Sequence, residues 1–246
     1  MNRKTTLLLF YSGVALLCAA ILGIAFSLRS RLPVPELPVA VDTGRNQSSE
    51  WFEISEDLEG FNQSGDQVKL SDLRGKVWLV AEFFAVCPHC AVRNGQEMRA
   101  IYDQFRNHPD FHIVCITVDP DQDDQTKLAD YAKALGADAD NWWFLNAGDM
   151  KETHHYLENT LKFFGIRERT EAADIEANGR FAHDLGLILV NRDWRVVGKW
   201  PLADARSEEA TLRNPDLYQR LKTALDQRIR TELAKTEPNT NDLENE

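Results

Sequence analysis

The stretch KVWLVAEFF, residues 76–84, constrains the fold more than any other part of the chain. It is apolar and rich in β-branched residues apart from one glutamate, which is typical of a strand buried on both faces of a sheet. Residues 111–119, FHIVCITVD, show the same pattern. Apolar residues at helical spacing follow each strand, over residues 90–105 and 125–135. This strand-helix-strand-helix order predicts a parallel βαβ core in an α/β domain.

The C-terminal half predicts further elements around that core. Residues 149–164 show helical spacing and should form a third helix that ends at Gly165. The apolar runs 185–190 and 195–200 are joined by a short polar turn, which indicates an antiparallel hairpin. Residues 216–234 carry an apolar side chain at every fourth position and should form a closing amphipathic helix. The fold class is therefore α/β, with a central mixed sheet flanked by helices.

A membrane-spanning helix is expected at the N-terminus, within residues 1–31. From Thr5 to Ser27 the chain runs for 23 residues without a charged side chain, long enough to cross the hydrocarbon layer as a helix. A cleaved signal peptide is the alternative, because residues 25–27 are partly small. The apolar stretch exceeds the roughly 7–15 residues of a signal-peptide core, which favours an uncleaved anchor.

The flanking charges give the expected orientation. Arg3 and Lys4 precede the apolar segment, and Arg29 and Arg31 follow it, so the bias is modest. We assign the N-terminus to the cytoplasm. The protein would then cross the inner membrane once, with its C-terminal domain on the periplasmic side, where disulfides persist.

The rest of the chain divides by composition. Residues 32–50 contain three prolines and then turn polar, which predicts a linker. Residues 51–234 should form the folded domain, beginning with a short strand pair within residues 52–70. Residues 235–246 lack an apolar face and should be a disordered acidic tail.

The charge balance excludes one class of partner. Beyond residue 31 the chain has 28 − 4 = 24 basic and 39 acidic residues, a formal charge of −15. Nucleic acid is not expected to bind, because phosphate recognition requires the opposite sign.

The motif CPHC follows the first central strand directly. Cys87 and Cys90 thus stand between a strand end and a helix N-terminus, which is the arrangement of the thioredoxin fold. Amide groups at the helix N-terminus stabilise a thiolate, and a thiolate is both a nucleophile and a soft metal ligand. Cys115 lies inside the second strand and is expected to be a buried apolar residue.

A histidine near the two thiols would favour metal binding over disulfide exchange, since imidazole completes a soft two-sulfur copper site. His183 stands immediately before the predicted strand 185–190, in the loop that faces the cysteine pair in thioredoxin-like sheets. Thiol oxidoreductases of that fold carry a cis-proline there, and FAHDLG contains no proline. His89 should tune the thiol pKa values, and the helical His154 and His155 should be solvated.

Four blocks of the sequence resemble the Sco/SenC (PrrC-like) family of membrane-anchored, thioredoxin-fold copper chaperones for cytochrome oxidase. The likeness covers about residues 51–225. The resemblance implies copper bound by Cys87, Cys90 and His183, and a partner that is the copper-bearing subunit of an oxidase or another envelope thiol protein. The blocks are LSDLRGKVWLVAEFFAVCPHC, ITVDPDQD, KFFGIRE and AHDLGLILVNRDWRVV.

One departure from the family leaves two functions open. Family members typically space their cysteines C-x-x-x-C, whereas this chain has the C-x-x-C spacing of disulfide oxidoreductases. The chain is therefore either a copper metallochaperone or a membrane-anchored thiol-disulfide oxidoreductase. In the second case Cys87 attacks a partner disulfide and Cys90 resolves the mixed intermediate. A peroxidase is a third candidate function, and Arg93, just after the motif, is its only support.

Overall fold

The computed structural model describes residues 51–85 and 94–235, and a few helical residues near the N-terminus. By internal contacts the chain divides into two compact units, Met1–Val39 and Ala40–Glu246. Within the described part of the chain, no helix combines the length and apolar character needed to span a bilayer. Most of the predicted anchor, the linker and all of the tail except Lys235 lie outside the described residues.

The strands are distributed over the whole C-terminal unit. Their bounds are β1 Phe52–Glu53, β2 Glu59–Phe61, β3 Gln67–Lys69, β4 Val77–Phe83, β5 Phe111–Thr117, β6 Trp142–Leu145, β7 Arg167–Glu168, β8 Phe181–Ala182, β9 Leu187–Val190 and β10 Arg195–Trp200.

A six-stranded sheet runs in the order β1-β10-β9-β4-β5-β6. Strands β4, β5 and β6 are parallel, and β9 joins β4 in the antiparallel sense. Two small antiparallel pairs, β2-β3 and β7-β8, lie outside this sheet. The predicted mixed sheet, its βαβ core and the β9-β10 hairpin are therefore confirmed.

The helices connect and cover these strands. Their bounds are α1 Gln96–Phe105, α2 Gln125–Leu135, α3 Met150–His155, α4 Ala172–Asn178, α5 Leu202–Ala205, α6 Glu208–Arg213 and α7 Leu217–Ala234. A 3₁₀ turn spans Leu70–Leu73, and a wider helical turn, Tyr156–Thr160, continues α3.

The predicted third helix is shorter than its periodicity suggested. Regular helix stops at His155, the wider turn ends at Thr160, and Lys162 rather than Gly165 takes the left-handed conformation, with φ 60°. Leu161 and Phe163 are buried, so turning the chain inward stabilises it more than one further helical turn would. The closing helix, by contrast, agrees with its predicted bounds.

The sheet separates two apolar cores. The first core lies under α1 and α7, and the second core lies on the opposite face, under α3 and the segment 54–73. Alternate residues of β4 enter the two cores, because side chains along a strand point to opposite faces. Leu79 and Ala81 belong to the first core, and Trp78 and Val80 to the second. By this alternation Glu82 falls on the second face, at the carboxyl end of the sheet.

Candidate metal and thiol site

The loop that carries His183 contacts both flanks of the cysteine motif. Cys87, His89 and Cys90 lie outside the described residues. Before the motif, the Phe84 ring lies edge-on to the His183 ring, with their centroids 5.5 Å apart. After the motif, Asn94 Nδ2 donates to the Leu185 carbonyl at 3.0 Å. Described residues on both sides of segment 86–93 therefore contact the loop between β8 and β9.

The His183 ring has a defined donor nitrogen. Nδ1 lies 2.9 Å from the Asp184 carbonyl oxygen. A carbonyl oxygen can only accept, so Nδ1 carries the proton. In the neutral form of this ring the lone pair is consequently on Nε2. Only 3% of the His183 side chain is exposed, so the ring is held inside the protein.

Asp184 anchors this loop with its side chain. Its two carboxylate oxygens accept from the backbone N–H groups of Phe164, at 2.9 Å, and Gly186, at 2.7 Å. The carboxylate also pairs with Lys199 Nζ, and both side chains are almost completely buried. No cis peptide bond occurs among the described residues. Hydrogen bonds and a buried ion pair fix the loop in place of a cis-proline.

Glu82 is a further buried acid beside His183. Its Oε2 accepts from the Asp184 backbone N–H at 2.8 Å and lies 3.6 Å from His183 Nδ1. Its other oxygen, Oε1, has no hydrogen-bond donor within the described part of the chain. Burial raises the pKa of this carboxyl, with the neighbouring His183 acting in the opposite direction. The glutamate interrupts an apolar strand in the sequence, and that interruption was a signal that sequence reasoning left unassigned.

Two aspartates follow β5, and one of them contacts Ala85, the last described residue before the cysteine segment. Asp123 Oδ2 accepts from the Ala85 backbone N–H at 3.0 Å and from the Thr117 hydroxyl. Asp119 lies 3.8 Å from an Arg180 guanidinium nitrogen. Desolvation raises the pKa of both carboxyls. Both aspartates belong to the block ITVDPDQD, but no sequence pattern assigned them to the site.

The remaining helical histidines behave differently from one another. His155 is exposed, as predicted. His154 is half-buried rather than fully solvated as predicted. Its Nε2 lies 2.7 Å from the Val118 carbonyl oxygen, and its ring packs edge-on against Phe181 at 5.2 Å. The Val118 carbonyl oxygen, just after β5, thus holds the His154 ring against the protein.

The prediction for Cys115 is confirmed. The residue is fully buried in the first core, and burial raises the pKa of its thiol to about 12. Its sulfur lies 3.5 Å from Met98 Sδ and 3.4 Å from Trp142 Nε1. A protonated thiol in such surroundings is a poor nucleophile and a poor metal ligand.

A metal site cannot be assembled from the described residues alone. Among residues 51–85 and 94–235, no group of three or more His, Cys, Asp or Glu side chains is placed to hold a metal ion. Of the three predicted ligands, Cys87, Cys90 and His183, only His183 is among the described residues.

Comparison with known proteins gives the chain a family. The family model described as SCO1/SenC matches residues 46–213, more than half of the chain. The chain belongs to the SCO1/SenC family. The resemblance inferred from its four sequence blocks is thereby confirmed.

Three relatives illustrate this membership. The SCO1 protein homolog of Bacillus subtilis (strain 168) is 26% identical over 137 residues, which cover 55% of this chain and 67% of that protein. BsSco, a member of the Sco family of cytochrome c oxidase assembly proteins with an identified disulfide switch, has a TM-score of 0.51 and 21% identity, covering 72% of this chain and 96% of its own. Copper-bound ScoI of Arabidopsis thaliana has a TM-score of 0.52 and 17% identity, covering 72% and 99%. These similarities establish the thioredoxin-like fold.

Proposed function

We propose that this SCO1/SenC protein is a copper metallochaperone. Cys87, Cys90 and His183 would bind one Cu(I) ion, which the protein would pass to the copper-bearing subunit of a cytochrome oxidase. Copper is the cargo of this process, and ligand exchange with the recipient needs no bond-breaking catalyst. The family relationship supports copper and oxidase assembly in general terms, and the ligand set rests on the residues of this chain.

The attachment of the His183 loop to both flanks of the cysteine segment carries the proposal. Phe84 precedes Cys87 by three residues, so their Cα atoms are within ~11 Å of each other in any conformation. Asn94 follows Cys90 by four residues, which limits that separation to ~14 Å. Both flanking residues contact the loop of His183. Chain connectivity therefore limits how far the thiols can lie from the imidazole, which supports the proposed ligand set.

The donor chemistry suits a soft cation. Two thiolates and one neutral imidazole are the ligands that Cu(I) prefers over carboxylates and water. His183 Nδ1 lies 2.9 Å from the Asp184 carbonyl oxygen, to which it can only donate. A metal bound through Nε2 would leave the Nδ1 proton in place.

The test is a Cu(I) competition against a chelator with single variants of the reduced protein. We expect His183→Ala, Cys87→Ser and Cys90→Ser each to weaken Cu(I) binding, by at least the ~10–100-fold that follows loss of supporting groups around a metal. The matched control is His155→Ala, which removes an exposed imidazole on α3 and should leave the affinity unchanged. One ion per chain is the expected stoichiometry.

A second candidate function is supported by the C-x-x-C spacing. Two intervening residues favour closure of a disulfide between Cys87 and Cys90, and BsSco is a family member with a disulfide switch. In that case Cys87→Ser should abolish reduction of a model disulfide, whereas His183→Ala should leave its rate and the reduction potential nearly unchanged. Unaltered Cu(I) affinity in His183→Ala, with rapid disulfide reduction by the wild type, would establish the oxidoreductase instead.

We further propose that segment 5–27 anchors the protein in the inner membrane, with the domain on the periplasmic side. Its 23 uncharged residues support the anchor, and the preference of disulfide chemistry for an oxidising compartment supports the orientation. A reporter fused after Glu246 should be active only outside the cytoplasm. Activity confined to the cytoplasm would contradict this topology.

A further inference from the structure

We propose that Glu82 is a positioning residue that holds the His183 ring in the Nδ1–H tautomer, so that Nε2 is presented to the metal. This inference rests on the proposed copper site. It extends that site to a residue on β4, which the cysteine and histidine pattern does not include.

The geometry connects Glu82 to the ring in two ways. Its Oε2 accepts from the Asp184 backbone N–H at 2.8 Å, which fixes the residue whose carbonyl oxygen receives the proton of His183 Nδ1. The same carboxylate oxygen lies 3.6 Å from Nδ1 itself. A negative group on that side of the ring favours the hydrogen on Nδ1 and makes the opposite nitrogen a better electron-pair donor.

Structural stability alone does not explain this carboxylate. The Glu82 side chain is fully buried, and its Oε1 lacks a hydrogen-bond donor in the described part of the chain. A buried polar atom without a partner costs about 1–3 kcal/mol. The neighbours on the same face, Val80 and Phe84, are apolar and buried. An apolar side chain would match them but would leave the Asp184 N–H without its acceptor. The acid therefore fits a task at the Asp184 backbone and the His183 ring.

Asp184 and Lys199 position the His183 loop, but they do not take over the contact that Glu82 makes with the His183 ring. Their buried ion pair and the two backbone hydrogen bonds to the Asp184 carboxylate set the position of the loop. None of these contacts reaches the His183 ring. The His183 ring itself contacts the Asp184 carbonyl oxygen, the Glu82 carboxylate and the Phe84 ring.

The experiment follows the ring nitrogens of His183 directly. The full-length, reduced, metal-free protein is labelled with ¹⁵N, and long-range ¹H–¹⁵N spectra are recorded at one slightly alkaline pH for the wild type, Glu82→Gln, Glu82→Met and Glu82→Val. Glutamine keeps an acceptor oxygen, whereas methionine and the smaller valine delete it. Either apolar variant suffices, so one that fails to fold does not prevent the test. The matched control is Glu97→Gln, which alters a buried acid on the other face of the sheet.

We expect the wild type, Glu82→Gln and Glu97→Gln to show the Nδ1–H tautomer, and the apolar Glu82 variants to shift toward Nε2–H. Cu(I) affinity should fall ~10-fold or more in the apolar variants and recover in Glu82→Gln. Unchanged His183 nitrogen shifts in a folded apolar variant would overturn the positioning role. If His183→Ala binds Cu(I) like the wild type, the copper proposal fails, and the tautomer spectra still decide the role of Glu82.

Discussion

The two faces of the sheet each bury a glutamate, and the two glutamates have different surroundings. On the face of the first core, Glu97 is contacted by the Arg206 guanidinium, by Lys222 Nζ at 3.2 Å and by the Tyr218 hydroxyl at 2.8 Å. On the opposite face, Glu82 has one backbone N–H and the His183 ring as neighbours. Within the described residues, no lysine or arginine forms an ion pair with Glu82.

The difference separates a glutamate that joins helices from a glutamate that lies at the candidate site. Glu97 fastens α1 to α7 and to the turn after α5, and its charge is balanced by cations from those elements. Balanced buried charges are tolerated because their mutual attraction offsets the loss of water. Glu82 receives no such balance from a lysine or arginine within the described residues, and its carboxylate lies beside an imidazole instead. A buried acid that contacts a titratable histidine is therefore the better indicator of a functional site.

The largest expected effect concerns Lys199. Its ammonium pairs with Asp184, and both side chains are at most 6% exposed. Lys199→Met should lower the free energy of unfolding by about 3–5 kcal/mol, because it leaves a buried carboxylate without its cation. Urea-induced unfolding, followed by circular dichroism, measures this change. Loss of the ion pair should also loosen the His183 loop and weaken Cu(I) binding.

The matched control on the other face is Lys222→Met. Lys222 is partly exposed, and Glu97 keeps Arg206 and Tyr218 in its absence. The expected loss is below about 1 kcal/mol, as for other partly solvated ion pairs. Equal losses in the two variants would show that the Asp184 carboxylate depends on Lys199 no more than Glu97 depends on Lys222.

A second prediction uses His112, which is buried in the second core. Neither of its ring nitrogens has a hydrogen-bond partner among the described residues, and desolvation lowers its pKa from 6.5 to about 3. Between these values the unfolded chain binds a proton that the folded protein does not. The free energy of unfolding should therefore decrease as pH falls through this interval, with a contribution of up to ~1.4 kcal/mol per pH unit.

Comparison with His112→Leu isolates this contribution. The buried acids Glu82, Asp119 and Asp123 have raised pKa values and act in the opposite direction. They are common to both proteins, so their effect cancels in the difference. Denaturant unfolding at a series of pH values should show the leucine variant gaining stability relative to the wild type as pH falls. A difference that is independent of pH would refute the neutral, buried imidazole.

The sequence was sufficient for the fold and for part of the site. The continuous apolar run within 76–84 and the four-residue repeat of the closing helix are local patterns, and both elements form as predicted. His183 could be recognised because its place before a strand fixes its position relative to the end of β4. Local patterns could not reveal Lys199 or His154, whose partners Asp184 and Val118 are distant in sequence. Such pairs depend on how strands and helices pack.

A small effect is expected at Cys115, and this residue tests whether copper chemistry is confined to one face. The thiol is fully buried in the first core, where its pKa is about 12, against Met98 and Trp142. Cys115→Ala removes one buried sulfur and should lower the free energy of unfolding by about 1 kcal/mol, since the small cavity loses only a few contacts. Cu(I) stoichiometry and affinity should stay those of the wild type, because strand alternation directs this side chain away from His183. A weaker affinity in a folded Cys115→Ala protein would place a third thiol at the metal and would end the division of labour between the two faces.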